Sequence, residues 1–184
     1  MDNIMTRLEG AKGKFSDEKF LSNKGLSNEA GIHIFCYDPR EEMVVRSYFA
    51  DLMRKDMPFR LVECDLYKIF LQICEDKRIL DRIPMMENKK GSAVLLKQLR
   101  MSVTVENFIK KMQYSPHRHG DILLITGVGK VYPFMRSHNI LDSVQGSFDD
   151  IPIVMLYPGK FSGNDLSLFG EFTDGNYYRA FNML

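Results

Sequence analysis

Apolar and polar positions run along the chain in two rhythms, one with the period of a strand and one with that of a helix. Gly31 to Tyr37, reading GIHIFCY, is rich in β-branched and aromatic residues and predicts the first strand. It runs into Asp38-Pro39-Arg40-Glu41-Glu42, which reads as a helix start. Asp38 suits the cap, Pro39 the first helical position, where no backbone N–H is needed, and Glu41 stands at capping-box spacing. Val45, Phe49 and Leu52, with Val44, Tyr48 and Met53 beside them, then recur as a helix stripe does. Phe59 to Cys64 predicts the second strand.

From Asp65 the rhythm is helical again, with Leu66, Tyr67, Phe70, Leu71 and Cys74 on one face as far as about Lys77. A short helix fits Ile79 to Ile83, a turn fits Asn88 to Gly91, and Leu95, Leu96 and Leu99 mark another helix. Thr104 caps a further one through Val105, Phe108, Ile109 and Met112, so a helical insertion at about 66–113 separates the second strand from the third. Asp121 to Thr126 (DILLIT) is a continuous apolar run of the kind found in a strand buried on both faces. After Gly127-Val128-Gly129-Lys130, a helix is expected from near Pro133, with Phe134, Met135, His138, Leu141 and Val144 inward. Ile151 to Tyr157 predicts the fourth strand, ended by Pro158-Gly159, and Leu166 to Phe172 a short fifth one at an edge.

This order specifies an α/β fold: a mainly parallel five-stranded sheet with helices on both faces, Rossmann-like or degenerate P-loop-like, because parallel neighbours need crossover helices between them. Residues 1–20 read as a flexible or helical extension and residues 21–184 as a single domain.

The chain's 184 residues are 45% hydrophobic, too apolar for a disordered chain, and no apolar run approaches the length of a membrane helix. The N-terminus has no apolar core of a secretory signal, so a cytoplasmic protein is expected. Cys36, Cys64 and Cys74 form no CxxC pair and lie in apolar runs, which points to reduced structural thiols and away from structural zinc. Charge changes the picture only when resolved by position. Lys and Arg number 25 against 24 Asp and Glu, near balance, yet between Asn88 and Gly120 seven basic residues, Lys89, Lys90, Lys97, Arg100, Lys110, Lys111 and Arg118, face only Glu106, a net +6. Between Asp142 and Gly175 six acidic residues face only Lys160, a net −5. The two poles either dock charged partners or satisfy each other within the fold, and a basic surface of this kind also suits DNA.

Ligands of such folds bind beyond the carboxyl ends of the strands. The residues placed there are Asp38, Asp65, Gly127, Gly129, Lys130 and Lys160, a set able to hold a phosphate if it converges, although Asp38 and Asp65 are equally explained as helix caps. Gly127-Val128-Gly129-Lys130 has the strand-turn-helix context of a phosphate loop but fails its spacing: Val131 follows the lysine where a hydroxyl should hold magnesium, and Tyr132 stands where a GxGxxG fingerprint needs its last glycine. His117 and His119 bracket Arg118 as a two-ligand fragment, and His138 with Asp142 is a helical i,i+4 pair. No nucleophile stands at a telling distance from a base, so neither a catalytic site, a metal nor a cofactor is expected. The C-terminal Tyr177, Tyr178 and Arg179 are of the types that dominate protein interfaces, or else belong to a terminal helix packed on the sheet.

Three segments, ILLITGVGKVYPFMRSHNIL, PIVMLYPGKFSGNDLSLFG and DGNYYRAF, closely resemble the C-terminal half of BrxB, a small component of bacterial BREX phage-exclusion systems, and KGLSNEAGIHIFCYDPREE resembles its first strand. The resemblance runs from about Leu21 to the C-terminus. It implies a non-enzymatic component acting beside a DNA methyltransferase, an alkaline-phosphatase-like protein (PglZ) and a large AAA-type ATPase (BrxC), most simply as an adaptor between the last two. It transfers no active-site residue to this chain.

Overall fold

The computed structural model describes residues 3–23, 31–162, 165–173 and 180–183. Its elements in chain order are α1 (Ile4–Phe15), α2 (Glu18–Leu21), β1 (Ile32–Tyr37), α3 (Glu42–Leu52), β2 (Arg60–Asp65), α4 (Leu66–Asp76), α5 (Ile83–Lys90), α6 (Ser92–Ser102), α7 (Val105–Met112), β3 (Asp121–Thr126), α8 (Val128–Val131), α9 (Ser137–Val144), β4 (Ile153–Phe161), β5 (Leu166–Leu168), β6 (Phe172–Thr173) and β7 (Phe181–Asn182). The main sheet runs β2-β3-β4-β1-β7. Its pairings are all parallel. The antiparallel β5 and β6 continue from the end of β4.

Alternation along each strand divides the core in two. Phe35, Tyr37, Ile122, Leu124, Val154 and Leu156 meet α1 and α3 on one face. Ile32, Ile34, Leu123, Ile125, Ile153 and Met155 meet α4 and α6 to α9 on the other. β3 is buried at every position, as a strand covered on both faces must be. Helix α1 supplies Leu8, Ala11 and Phe15, all without exposed surface, so the N-terminal segment expected as an extension is helical and forms part of the core. Two aromatic contacts seat it: Phe15 lies 5.4 Å from Phe59 edge-on and 6.2 Å from Phe49.

Local chemistry corrects the expected boundaries in six places: β4 runs through Pro158-Gly159 to Phe161, Asn88 to Lys90 complete helix α5 in place of a turn, and four further elements differ. Asp38 does cap, accepting the Arg40 N–H, but Pro39–Glu41 forms a 3-10 turn, so helix α3 begins only at Glu42 and the capping box through Glu41 does not form. The helix expected near Pro133 starts earlier, at Val128, stops at Tyr132, which is extended ahead of the proline as residues preceding proline tend to be, and resumes as α9. The expected fifth strand is a hairpin, because Phe169 and Gly170 both have positive φ and reverse the chain between β5 and β6. Phe181 belongs to a short strand beside β1, with one ring face 5.9 Å from His33, and not to a terminal helix.

Candidate functional site

The residues after the strands converge only in part. Asp65 ends β2 beside Thr126 of β3, and its Oδ1 accepts the backbone N–H groups of Tyr67 at 3.0 Å and Lys68 at 3.1 Å, the cap that starts α4. Its Oδ2 lies 3.5 Å from Lys130 Nζ, and Asp65 is only 8% exposed. Gly127, which ends β3, has φ +75°, and a Cβ there would overlap Asp65 Oδ1. Both its conformation and its lack of a side chain are therefore needed to bring β3 past the capped carboxylate. Gly129 is small for another reason: a Cβ would stand 2.9 Å from the Phe169 ring of the hairpin that covers it. Asp65, Gly127 and Lys130 thus form one cluster, in which the lysine is turned onto the chain's own carboxylate.

Asp38 belongs to a second cluster. Arg40 donates to both of its oxygens, at 2.6 and 3.0 Å, and these bonds, with the Arg40 backbone N–H and the field of Lys160, hold its carboxyl down at about 2. Asp38 is therefore a charged anchor for the turn into α3. The six crevice residues form two groups, one at the β2–β3 end and one at the β1–β4 end.

A cavity of about 330 Å³ opens instead between α3 and the β2 edge of the sheet, lined by Met43, Arg46, Ser47, Met53, Glu63 and Lys68, with Asp65 and Thr126 at its floor. Thr126 Oγ1 donates to Glu63 Oε1 at 2.8 Å, fixing that carboxylate over the end of β3. Sequence reasoning missed Arg46, Glu63 and Lys68. The signal for Glu63 was present: one acidic residue inside the apolar run FRLVEC marks a strand whose face is not fully covered.

The two histidines expected as a ligand fragment point to separate carboxylates. His117 Nδ1 is 2.6 Å from Asp150 and its ring stacks on Phe148 at 5.4 Å. His119 Nε2 is 3.2 Å from Glu18. Among the described residues no group of three or more His, Cys, Asp or Glu is arranged to hold a metal ion. The three thiols are free, and burial raises all of them, Cys36 and Cys64 to about 12, so they are protonated at neutral pH.

The basic segment lies on α5, α6 and α7, where Lys89, Lys90, Lys97, Arg100, Lys110 and Lys111 are all exposed. Lys111 reaches Asp76 at 2.7 Å, Lys90 reaches Gln98 at 3.4 Å, and Arg100 donates to the Pro133 carbonyl at 2.7 Å. Among the described residues none of these six is ion-paired to the acidic C-terminal segment, whose Asp150 is held by His117. The two charge poles therefore do not neutralise each other there. Tyr177, Tyr178 and Arg179 lie outside the described residues.

The fold and crevice define a parallel α/β domain in which the place of a phosphate loop is taken by a capped aspartate and its own lysine. A family model described as "BREX protein BrxB" matches residues 62–183. A BREX protein BrxB of Bacillus cereus strain H3081.97 is 42% identical over 190 residues, covering 100% of this chain and 99% of that protein. Another, of Escherichia coli O9:H4 strain HS, is 30% identical over 185 residues, covering 97% of this chain and 90% of that protein. No solved structure matches. The chain belongs to the BrxB family, components of BREX phage-defence systems. Among the described residues no helix is long and apolar enough to cross a membrane.

Proposed function

We propose that this chain is a non-catalytic adaptor of a BREX complex, holding a PglZ-like protein and a BrxC-like ATPase together in the cytoplasm. The observation that carries this reading is the exposed basic surface on α5 to α7, which the chain's own acidic segment leaves without counter-charges among the described residues. Surfaces of one sign steer and orient a partner of the other sign. The crevice supports the same reading, because Lys130, the cation best placed to meet a phosphate, already rests on Asp65.

The test is co-purification of the full chain with each partner separately. Changing Lys89, Lys90 and Lys97 together to Glu is expected to abolish recovery of one partner, and changing Tyr178 and Arg179 to Ala to abolish recovery of the other, with the fold intact by circular dichroism. Undiminished recovery of both partners in both variants rejects these surfaces, and failure of the native chain to bind either partner rejects the adaptor role.

A phosphate or nucleotide ligand is the second reading, favoured by Arg46 and Lys68 on the cavity beside Asp65. It requires a nucleotide-dependent rise in melting temperature that Lys130→Ala removes. DNA contact through the basic surface requires binding that weakens steeply with salt and is lost when Lys110 and Lys111 are both changed to Glu.

A further inference from the structure

The two edges of the main sheet are finished differently, and the difference exposes a row of unpaired backbone groups. In a parallel ladder each residue directs its N–H and C=O to the same side, and successive residues alternate sides. The Arg60 N–H donates to the Gly120 carbonyl at 2.8 Å, so Arg60, Val62 and Cys64 direct their backbone groups toward β3. The Leu123 N–H donates to the Pro152 carbonyl at 3.0 Å on the far side of β3, which confirms the phase. Leu61 and Glu63 therefore direct their N–H and C=O away from the sheet. β2 is the terminal strand of the sheet path, and no backbone group among the described residues meets these four groups.

Such an edge is usually blunted by proline, a bulge, a covering loop or charged side chains, and the exposed residues of β2 supply only the last: Arg60, which is tied to Asp121, and Glu63. β2 has no proline, its register with β3 runs without a bulge from Arg60 to Asp65, and its central residues Leu61, Val62 and Glu63 are only half-buried or exposed. The cavity between α3 and β2 lies directly over the face to which Glu63 points. An edge with free donors and acceptors beside a groove walled by a helix is the arrangement that receives an extended peptide: the main chain pairs with the edge while alternate side chains enter the groove.

We propose that the outer edge of β2 is a strand-addition site, which takes an extended segment of a partner protein carrying a lysine or arginine opposite Glu63 and an apolar side chain against Met43 and Met53. Arg46 and Lys68 line the same cavity, but among the described residues neither is ion-paired to Glu63, whose only side-chain bond is from the Thr126 hydroxyl. The exposed Glu63 carboxylate therefore selects the basic residue directly across the strand pair, where opposite charges attract and like charges repel. The free donors and acceptors at Leu61 and Glu63 select an extended backbone over a helix, whose own groups are already paired. The identity of the partner rests on the adaptor reading; the edge itself does not.

The experiment uses the full chain and overlapping twelve-residue peptides spanning the PglZ-like and BrxC-like proteins, with hydrogen exchange at the Leu61 and Glu63 amides as the readout. One or more peptides are expected to slow exchange at both amides at least tenfold. Glu63→Pro, which removes the outward N–H and the carboxylate together, is expected to weaken that peptide at least tenfold, and Glu63→Lys, which reverses the charge and keeps the backbone donor, to do the same. Should Glu63→Pro fail to fold, the Glu63→Lys variant and the amide protection still decide.

Three results overturn the inference: no peptide protects these amides, protection appears only as the chain self-associates without peptide, or a bound peptide leaves both amides exchanging freely. Co-purification of the whole partners is scored separately. Its loss alone removes the adaptor role, and its survival with an unprotected edge removes only the strand-addition site.

Discussion

The edge formed by β7 and the edge formed by β2 present opposite solutions to one problem. At the β1 side the chain returns to pair Phe181–Asn182 with its own sheet, the Met183 N–H donates to the Ile34 carbonyl at 3.0 Å, and Met183 itself is fully buried. Lys14 of α1 donates to the Met183 carbonyl, so the N-terminal helix and the C-terminus close that edge together. At the β2 side no described segment returns to pair. β2 is held by its ladder with β3 and by side-chain bonds at both ends: the anchor at its start, where Arg60 grips Asp121 with two bonds of 2.6 and 2.7 Å, and the Thr126 hydroxyl on Glu63 near its end. A closed edge spends residues on stability, whereas an open edge keeps its backbone groups for another chain.

Breaking the anchor tests the open edge most severely. Asp121 is 1% exposed and also accepts from the Tyr114 hydroxyl at 2.9 Å and the Arg118 N–H at 3.0 Å. Asp121→Ala removes the centre of that network and is expected to cost about 3 kcal/mol, read as a shift in the urea midpoint, because it strands donors that were paired. Burial alone would raise the Asp121 carboxyl, but Arg60, the Arg118 N–H and Tyr114 together hold it below its ordinary value. Its folded form thus binds the proton less readily than the unfolded chain does. The stability it contributes is present above the ordinary carboxyl range and is lost as pH falls through the lowered value, so the native chain should weaken in acid more steeply than Asp121→Ala.

The closed edge carries a different acid sensitivity. His33 sits between Phe20, at 4.8 Å, and Phe181, and burial, helped by the charge of Lys14, lowers it to about 4. The unfolded chain takes up this proton near pH 6.5, well before the folded one, so stability is full above that pH and falls as pH drops toward 4. A loss of about 2 kcal/mol between pH 7 and pH 5 is expected from this group, and His33→Phe should flatten that part of the urea-midpoint profile. An unchanged profile in His33→Phe would separate the closed edge from the pH response.

At the crevice, Gly127→Ala places a Cβ on Asp65 Oδ1 and forces a non-glycine residue into the left-handed region, at an expected cost of about 2 kcal/mol in thermal or urea unfolding. The smallest effect belongs to the basic surface. Reversing Lys89, Lys90 and Lys97 should change stability by less than about 0.5 kcal/mol per residue, since their side chains are exposed and surface pairs contribute little. A large destabilisation there would mean that the surface is structural and would weaken its reading as a docking face.

Much of this molecule is legible in its sequence. The strands at 31–37, 59–64 and 121–126 and the helices led by Asp65 and Thr104 follow from local periodicity and capping, and both caps form: Asp65 through Tyr67 and Lys68, Thr104 through a reciprocal pair with Asn107. The hairpin at Phe169 was not legible, because a phenylalanine with φ near +57° is favoured by no local rule and is held where its ring covers Gly129. The break before Pro133 was readable in principle, but the helix was expected to start near Pro133, whereas it begins at Val128, directly after the Gly127 turn, and breaks at Tyr132. For the site, Asp38, Asp65 and Gly127 stand at strand ends as expected, but Lys160 lies within β4, and the grouping was not legible, since Asp38 and Asp65 leave from strands separated by two others in the sheet.

The sequence by itself determined the class of fold, the helical segment between β2 and β3, the two charge poles and the family. The first three are properties of composition and of neighbours within a few residues, where periodicity, caps and turn chemistry act, while the family rests on resemblance along the chain. Only the tertiary structure decided that α1 belongs to the core, that Lys130 rests on Asp65, that the charge poles stay apart among the described residues and that one edge is closed while the other is open. Each of those depends on which distant segments become neighbours, and strand order carries no signature in the local pattern because every parallel strand presents the same period to the chain.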